Sequence, residues 1–179
     1  DLLDAVDWAV DQGFADPARV GVFGGSYGGY AALVGLAFTP ERFAAAVEYV
    51  GVSDLVDYLR SLPEYARAGL VNNWYRYAGD PSDPEQAADL RARSPITRIA
   101  DIRSPLMVVQ GANDVRVRRE NSDRIVAGLR EQGNEVEYLV FDDEGHFILN
   151  PENVLALYRT ADEFFARHLA NVPAAAHGA

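Results

Sequence analysis

Residues 20–30 are a β-type apolar run that ends in glycines, presents a single serine and then passes into helix-forming sequence. Few local structures accept that order. Gly24 and Gly28 flank Ser26 at i−2 and i+2, the pattern G-x-S-x-G. A serine on a tight strand-to-helix turn needs small neighbours, because a β-carbon beside it would clash with the turn or block access to the hydroxyl. The stretch therefore reads as a nucleophile elbow, with the Ser26 hydroxyl at the top of a strand. The Tyr27 backbone N–H, opening the following helix, points where an oxyanion would form, and the helix N-terminus adds a modest favourable field. Two other readings compete. A glycine-rich turn can cradle a phosphate, but no lysine follows these glycines as a P-loop requires. A purely structural turn remains, and the choice rests on whether an acid and a histidine follow at suitable places.

Composition narrows the partners. A chain of 179 residues, 49% hydrophobic, has the length and the apolar content of one domain with a real core. Its net charge of −11 disfavours nucleic acid and anionic membrane surfaces, whose charge it repels. The absence of cysteine excludes disulfides, thiolate metal sites and cysteine nucleophiles, and fits a reducing, cytoplasmic compartment. No run approaches the length of a membrane-spanning helix, and no charged-then-apolar leader is present. The chain begins at Asp1 rather than Met, which leaves room for an upstream segment.

Leu2, Val6, Ala9 and Val10 recur at helical spacing and Gly13 follows as a stop. A strand over 19–23 runs into the elbow, a helix over 27–38 ends at Thr39-Pro40, and the apolar run 44–50 reads as a strand buried on both faces of a parallel sheet. Residues 51–104 form a long connection. Within it Ser53 can cap a short helix through Arg60, Pro63 breaks it, and Trp74, Tyr75 and Tyr77 cluster before Gly79. Those aromatic residues either floor an apolar substrate pocket or pack the connection onto the core. A third strand over 105–110, a helix over 119–132, a fourth strand over 135–141 and a last helix over 151–169 complete the order. Val154, Tyr158, Ala161, Phe165 and Leu169 define one face of that last helix. Repeating βα units imply a parallel sheet, and functional residues in such sheets collect at the carboxyl ends of the strands.

Ser26, Asp114 and His146 each follow a different expected strand, so the sheet can gather them. His146 is the only one of three histidines in a strand-end loop; His168 lies in the last helix and His177 near the terminus. Asp101, Asp142 and Asp143 compete with Asp114, but Asp101 precedes its strand, and Asp142 and Asp143 share the loop of His146, where reach is awkward. As a metal site, Asp142, Asp143, Glu144 and His146 are too contiguous to converge. The roles follow from residue chemistry: Ser26 as nucleophile, His146 as its base and later as acid to the leaving group, Asp114 fixing the imidazole tautomer. The order Ser, Asp, His is that of α/β-hydrolases.

The residues also carry a family likeness. The stretches from Gly24 through Tyr30, Arg93-Ser94-Pro95-Ile96, Gln110 through Val117, Asp143-Glu144-Gly145-His146 and Pro151-Glu152-Asn153 resemble, in order, the catalytic domain of the prolyl oligopeptidase family of serine peptidases, nearest its acylaminoacyl-peptidase and dipeptidyl-peptidase-like members. Arg118 stands where proline is common, and Phe147 stands where glycine usually follows the histidine. The resemblance implies an α/β-hydrolase sheet with helices on both faces, here about four strands corresponding to strands five to eight, over residues 1–170, followed by a flexible tail over 171–179. By the same resemblance Ser26, Asp114 and His146 form the triad. Arg116 matches a position that holds a substrate carbonyl in some members, with an ordinary surface arginine as the alternative, and Trp74 and Tyr77 are candidate substrate contacts. The earlier strands, a second oxyanion donor and a β-propeller are expected to be missing, as from a fragment of a larger enzyme. Ser26's strand would then lie exposed at the sheet edge.

The function so implied is hydrolysis of oligopeptides or acyl-peptides through an acyl-enzyme, with no cofactor and no metal. A carboxylesterase with the same triad is one alternative. The other is a non-catalytic half-domain that pairs with a second copy or with the missing N-terminal part.

Overall fold

The computed structural model describes residues 1–70 and 72–170. The tail expected over 171–179, with His177, lies outside the described residues. Four strands, β1 (Gly21–Gly25), β2 (Ala45–Tyr49), β3 (Leu106–Gly111) and β4 (Val136–Phe141), form one parallel sheet in the order β1-β2-β3-β4. The helices are α1 (Leu2–Asp11), α2 (Tyr27–Phe38), α3 (Leu55–Ser61), α4 (Glu64–Leu70), α5 (Trp74–Tyr77), α6 (Pro84–Ala92), α7 (Glu120–Glu131) and α8 (Pro151–Leu169). The architecture is α/β with helices on both faces, as the βα repeats imply.

Strand alternation sorts the core into two layers. Ala46, Leu106 and Val108 face α2 and α7, with Leu33, Leu36, Ile125 and Leu129 packed on them. Ala45, Val47, Met107 and Val109 face α8, with Leu157, Ala161 and Phe164. The connection between β2 and β3 builds a third cluster of its own, from Leu55, Val56, Tyr58, Leu59, Leu62, Leu70 and Leu90. A segment of that length within a compact domain is accommodated because it buries its own apolar residues.

Three details differ from the sequence reading. Ser53 does not cap α3; the Asp54 carboxylate does, accepting from the Asp57 N–H, while the Ser53 hydroxyl is buried against Asn121. On α8 the expected Val154, Ala161, Phe165 and Leu169 pack on the sheet, joined by buried Leu157 and Phe164, but Tyr158 turns out toward β1, where its ring stacks on Phe23 at 6.2 Å. Tyr158 stays exposed because it lies at the margin of α8, beside the sheet edge. The first strand begins at Gly21, after a 3-10 turn capped by the Asp16 carboxylate.

β1 is an edge strand. Gly21, Phe23 and Gly25 are exposed, and Phe23 keeps 43% of its surface accessible. At the centre of the α8 layer Phe164 has no exposure. Phe164→Ala is expected to lower unfolding free energy by about 3–5 kcal/mol without changing the strand order; urea denaturation followed by circular dichroism measures the loss.

Candidate active site

Ser26 stands between β1 and α2 with φ 56° and ψ −114°, a conformation that costs a non-glycine residue and is held by its surroundings. Its N–H donates to the Tyr49 carbonyl at 2.8 Å, tying the turn to the end of β2. The glycines are required by close approach. A β-carbon on Gly24 would lie 2.0 Å from the Gly28 carbonyl oxygen, and one on Gly29 2.7 Å from Gly51 Cα. Tyr27 is the first residue of α2, so its N–H is among those that helix geometry leaves without an intrahelical acceptor.

Asp114 follows β3, and its side chain has no exposure. Its Oδ1 accepts from the Arg116 and Val117 N–H groups at 2.8 and 3.0 Å. Its Oδ2 lies 2.8 Å from His146 Nδ1, and His146 Nε2 lies 3.0 Å from Ser26 Oγ. A carboxylate acceptor at Nδ1 selects the tautomer with the proton there and turns the Nε2 lone pair toward the serine hydroxyl. The structure thus brings Ser26, His146 and Asp114 into one chain of hydrogen bonds at the carboxyl ends of β1, β3 and β4.

Two of the competing acids, Asp101 and Asp143, are engaged elsewhere. Asp101 is paired with Arg98 at 3.6 Å on the surface, and the Asp143 carboxylate accepts from the Asn150 and Asn153 amides. Glu144 is buried and accepts from the Leu149 and Asn150 N–H groups and from the Asn153 side chain. The Asn153 amide first, then the Leu149 N–H, hold its carboxyl below the usual range. The loop of His146 is also gripped from below. The Tyr49 hydroxyl donates to the His146 carbonyl and accepts from the Ile148 N–H, both at 2.9 Å. A β-carbon on Gly111 would fall 2.0 Å from the Gly145 carbonyl oxygen, so the β3 end and this loop are in direct backbone contact. Tyr49 had no distinguishing sequence signal, and Glu144 and Asn153 stood out only as members of the stretches that carry the family likeness, with no role assigned to them.

Trp74 packs edge-on against Tyr58 and also lines a cavity of about 350 Å³ with Tyr27, Tyr30, Leu55 and Tyr77. Trp74 thus packs the connection onto its own cluster and also faces the cavity, while Tyr77, which shares that cavity, is largely exposed. The Arg116 guanidinium lies 5.5 Å from the centroid of the Phe147 ring, whose edge meets the His146 imidazole. Among the described residues, Glu135, Glu137 and His168 bring potential metal-ligand atoms within 4.8 Å of one another, at the opposite ends of the strands. There Arg167 is already paired with Glu137. No helix among the described residues is long and apolar enough to cross a membrane.

A parallel α/β sheet that gathers a serine on a strand-to-helix elbow with a histidine and an aspartate from later strand ends is the arrangement of an α/β-hydrolase. The chain belongs to the prolyl oligopeptidase family, whose model matches residues 1–172. It is 43% identical over 169 residues to dipeptidyl aminopeptidase BIII of Pseudoxanthomonas mexicana, covering 94% of this chain and 24% of that one. It is 40% identical over 170 residues to dipeptidyl peptidase family member 6 of Caenorhabditis elegans, covering 94% and 23%. A puromycin-hydrolyzing peptidase of Mycobacterium tuberculosis superposes with a TM-score of 0.86 at 28% identity, over 94% of this chain and 25% of its own. The chain thus spans about a quarter of the length of these relatives.

Two outcomes follow from the loop's supports. Tyr49→Phe removes a hydroxyl that serves both His146 and Ile148, and should cost about 1–2 kcal/mol in thermal or urea unfolding. Glu144 has its folded value below the ordinary 4.5, so its contribution is present above that pH and lost as pH falls through the lower folded value. Glu144→Gln should therefore be less stable than the parent at neutral pH, with the gap closing in melts run below pH 4.5.

Proposed function

We propose that this chain carries the nucleophile, base and acid of a serine peptidase that cleaves oligopeptides through an acyl-enzyme. The observation that carries this reading is the continuous relay from Asp114 Oδ2 through His146 to Ser26 Oγ, at 2.8 and 3.0 Å. In it, Ser26 attacks the scissile carbonyl carbon while its proton passes to His146 Nε2. Asp114 keeps Nδ1 protonated and stabilises the imidazolium that forms. Collapse of the tetrahedral intermediate expels the amine, which takes the proton from Nε2, and leaves the acyl group on Ser26. Water then repeats the sequence and frees the acid. The Tyr27 N–H donates to the oxyanion at both tetrahedral stages.

Peptides are the favoured substrate class because the family is one of peptidases and two relatives are named for releasing dipeptides. The aromatic cavity beside Tyr27, with Trp74 and Tyr77 in its wall, suits an apolar side chain next to the scissile bond. Arg116, whose N–H already serves Asp114, offers a cation beside the site for a substrate carbonyl. A second reading is favoured by the exposed edge of β1: the chemistry needs a further strand on that edge, supplied by another segment or another copy.

Reaction of the chain with a fluorophosphonate probe tests the proposal. Ser26→Ala and His146→Ala should abolish labelling, and Asp114→Asn should slow it by about 10⁴-fold. Matched amide and ester substrates then separate a peptidase from a carboxylesterase. A well-folded sample that neither labels nor turns over, and that self-associates as concentration rises, would favour the half-domain reading instead.

A further inference from the structure

Among the described residues three carboxyl side chains are buried: Glu48, Asp114 and Glu144. The oxygens of Asp114 and Glu144 are taken up by the loops they hold. Glu48 is different. It has no exposure, its Oε2 accepts from the Gly51 N–H at 2.7 Å, and its Oε1 has no partner. A carboxyl group in such a place is costly to keep unless the structure uses it.

Its position says what that use is. Glu48 is in register with Gly24, two residues before Ser26. Tyr49, next in the chain, accepts the Ser26 N–H with its carbonyl and grips the His146 loop with its hydroxyl. Val50 then has φ 47°, a left-handed conformation that a β-branched residue adopts only under constraint. Gly51 closes the turn onto Glu48, and its backbone abuts Gly29 in the first turn of α2. A β-carbon on Gly51 would sit 2.5 Å from Glu48 Oε2 and 2.8 Å from the Gly29 carbonyl carbon. The carboxyl, the strained turn and the elbow helix are thus one packed unit.

We propose that Glu48 is a positioning residue for Ser26, a clamp on the turn over residues 49–51 that carries the acceptor of the serine N–H. This rests on the reading of Ser26 as the nucleophile. Burial pushes the Glu48 carboxyl up to about 8, opposed only by the Gly51 hydrogen bond, so the clamp is neutral at physiological pH. No cation compensates it. β1 and β3 carry no ionisable side chain, and α2 offers only the phenols of Tyr27 and Tyr30. On α7, Arg124 is paired with Asp54 and Asp57, Asp123 is bonded to Tyr138 and Arg119, and Glu120, Arg130 and Glu131 are exposed. As pH rises through about 8 the proton leaves, and a buried negative charge then stands behind the place where an oxyanion must form. Glutamine keeps the accepting carbonyl and cannot ionise.

The test records amide NMR spectra and fluorophosphonate labelling rates of the full chain from pH 6 to 9, for the parent, Glu48→Gln and Glu48→Ala. The Gly51 and Ser26 amides of the parent should titrate together with a midpoint near 8, and those of Glu48→Gln should not. Parent labelling should fall across that range relative to Glu48→Gln. At pH 6.5 Glu48→Gln should label about as fast as the parent, and Glu48→Ala about tenfold slower, the scale of one lost buried hydrogen bond. The proposal is overturned by Gly51 and Ser26 amides that do not titrate, that titrate equally in Glu48→Gln, or by Glu48→Ala labelling as fast as Glu48→Gln. The amide arm needs no activity. Titration without labelling would sink the peptidase reading and support the clamp, whereas labelling without titration would do the reverse.

Discussion

Backbone contact without intervening side chains is the constraint on which this structure depends. Gly24 meets Gly28, Gly29 meets Gly51, and Gly111 meets Gly145, each at a distance where a β-carbon would collide with main-chain atoms. The first contact folds the elbow, the second presses the elbow helix onto the end of β2, and the third sets the histidine loop on the end of β3. Together they fix these chain segments to within hydrogen-bond tolerance at the carboxyl ends of the strands. The relay between Asp114, His146 and Ser26 needs that tolerance, because its two links are only 2.8 and 3.0 Å long.

Polar groups then hold what the glycines bring close. Tyr49 is the hub: its carbonyl restrains Ser26, its ring lies against Gly25, and its hydroxyl restrains the loop of His146. Burial pushes its phenol upward, with the Ile148 N–H acting against that, so the hydroxyl stays protonated and able to donate. Glu144 ties the other side of the loop to the start of α8 through two backbone N–H groups. Ser26 and the loop of His146 therefore share a support on β2, a strand that contributes neither of them.

The sheet was legible in the sequence because it is built from repeated, strongly patterned units. The runs 44–50 and 105–110 are apolar but for Glu48 and Gln110, as suits strands buried on both faces, and Gly133 and Pro151 mark helix ends chemically. Ser26 could be picked out by the glycines that flank it at i−2 and i+2, and His146 because it is the one histidine of the three in a loop after an expected strand. The capping of α3 was misassigned since Ser53 and Asp54 are adjacent and equally suited as caps; the choice fell to a tertiary partner, Asn121. On α8 only Tyr158 was misplaced, since periodicity gives the width of an apolar face but not the strands beneath it. Tyr49 and Glu48 were invisible for a related reason: their roles depend on strand register, which pairs Gly24 with Glu48 and is written in no local pattern.

The strands lie across the sheet in the order in which they occur along the chain, and this has a consequence for synthesis. Ser26 leaves the ribosome 120 residues ahead of His146. At roughly 5–20 residues per second, the nascent chain carries a serine without its imidazole for about 6–24 s. The elbow can close on β2 during that interval, but the hydroxyl gains its hydrogen bond to His146 only when β4 docks at the margin of the sheet. The hydrogen bond between Ser26 and His146 is thus postponed until nearly the whole of this segment has emerged, by the sequence of assembly alone.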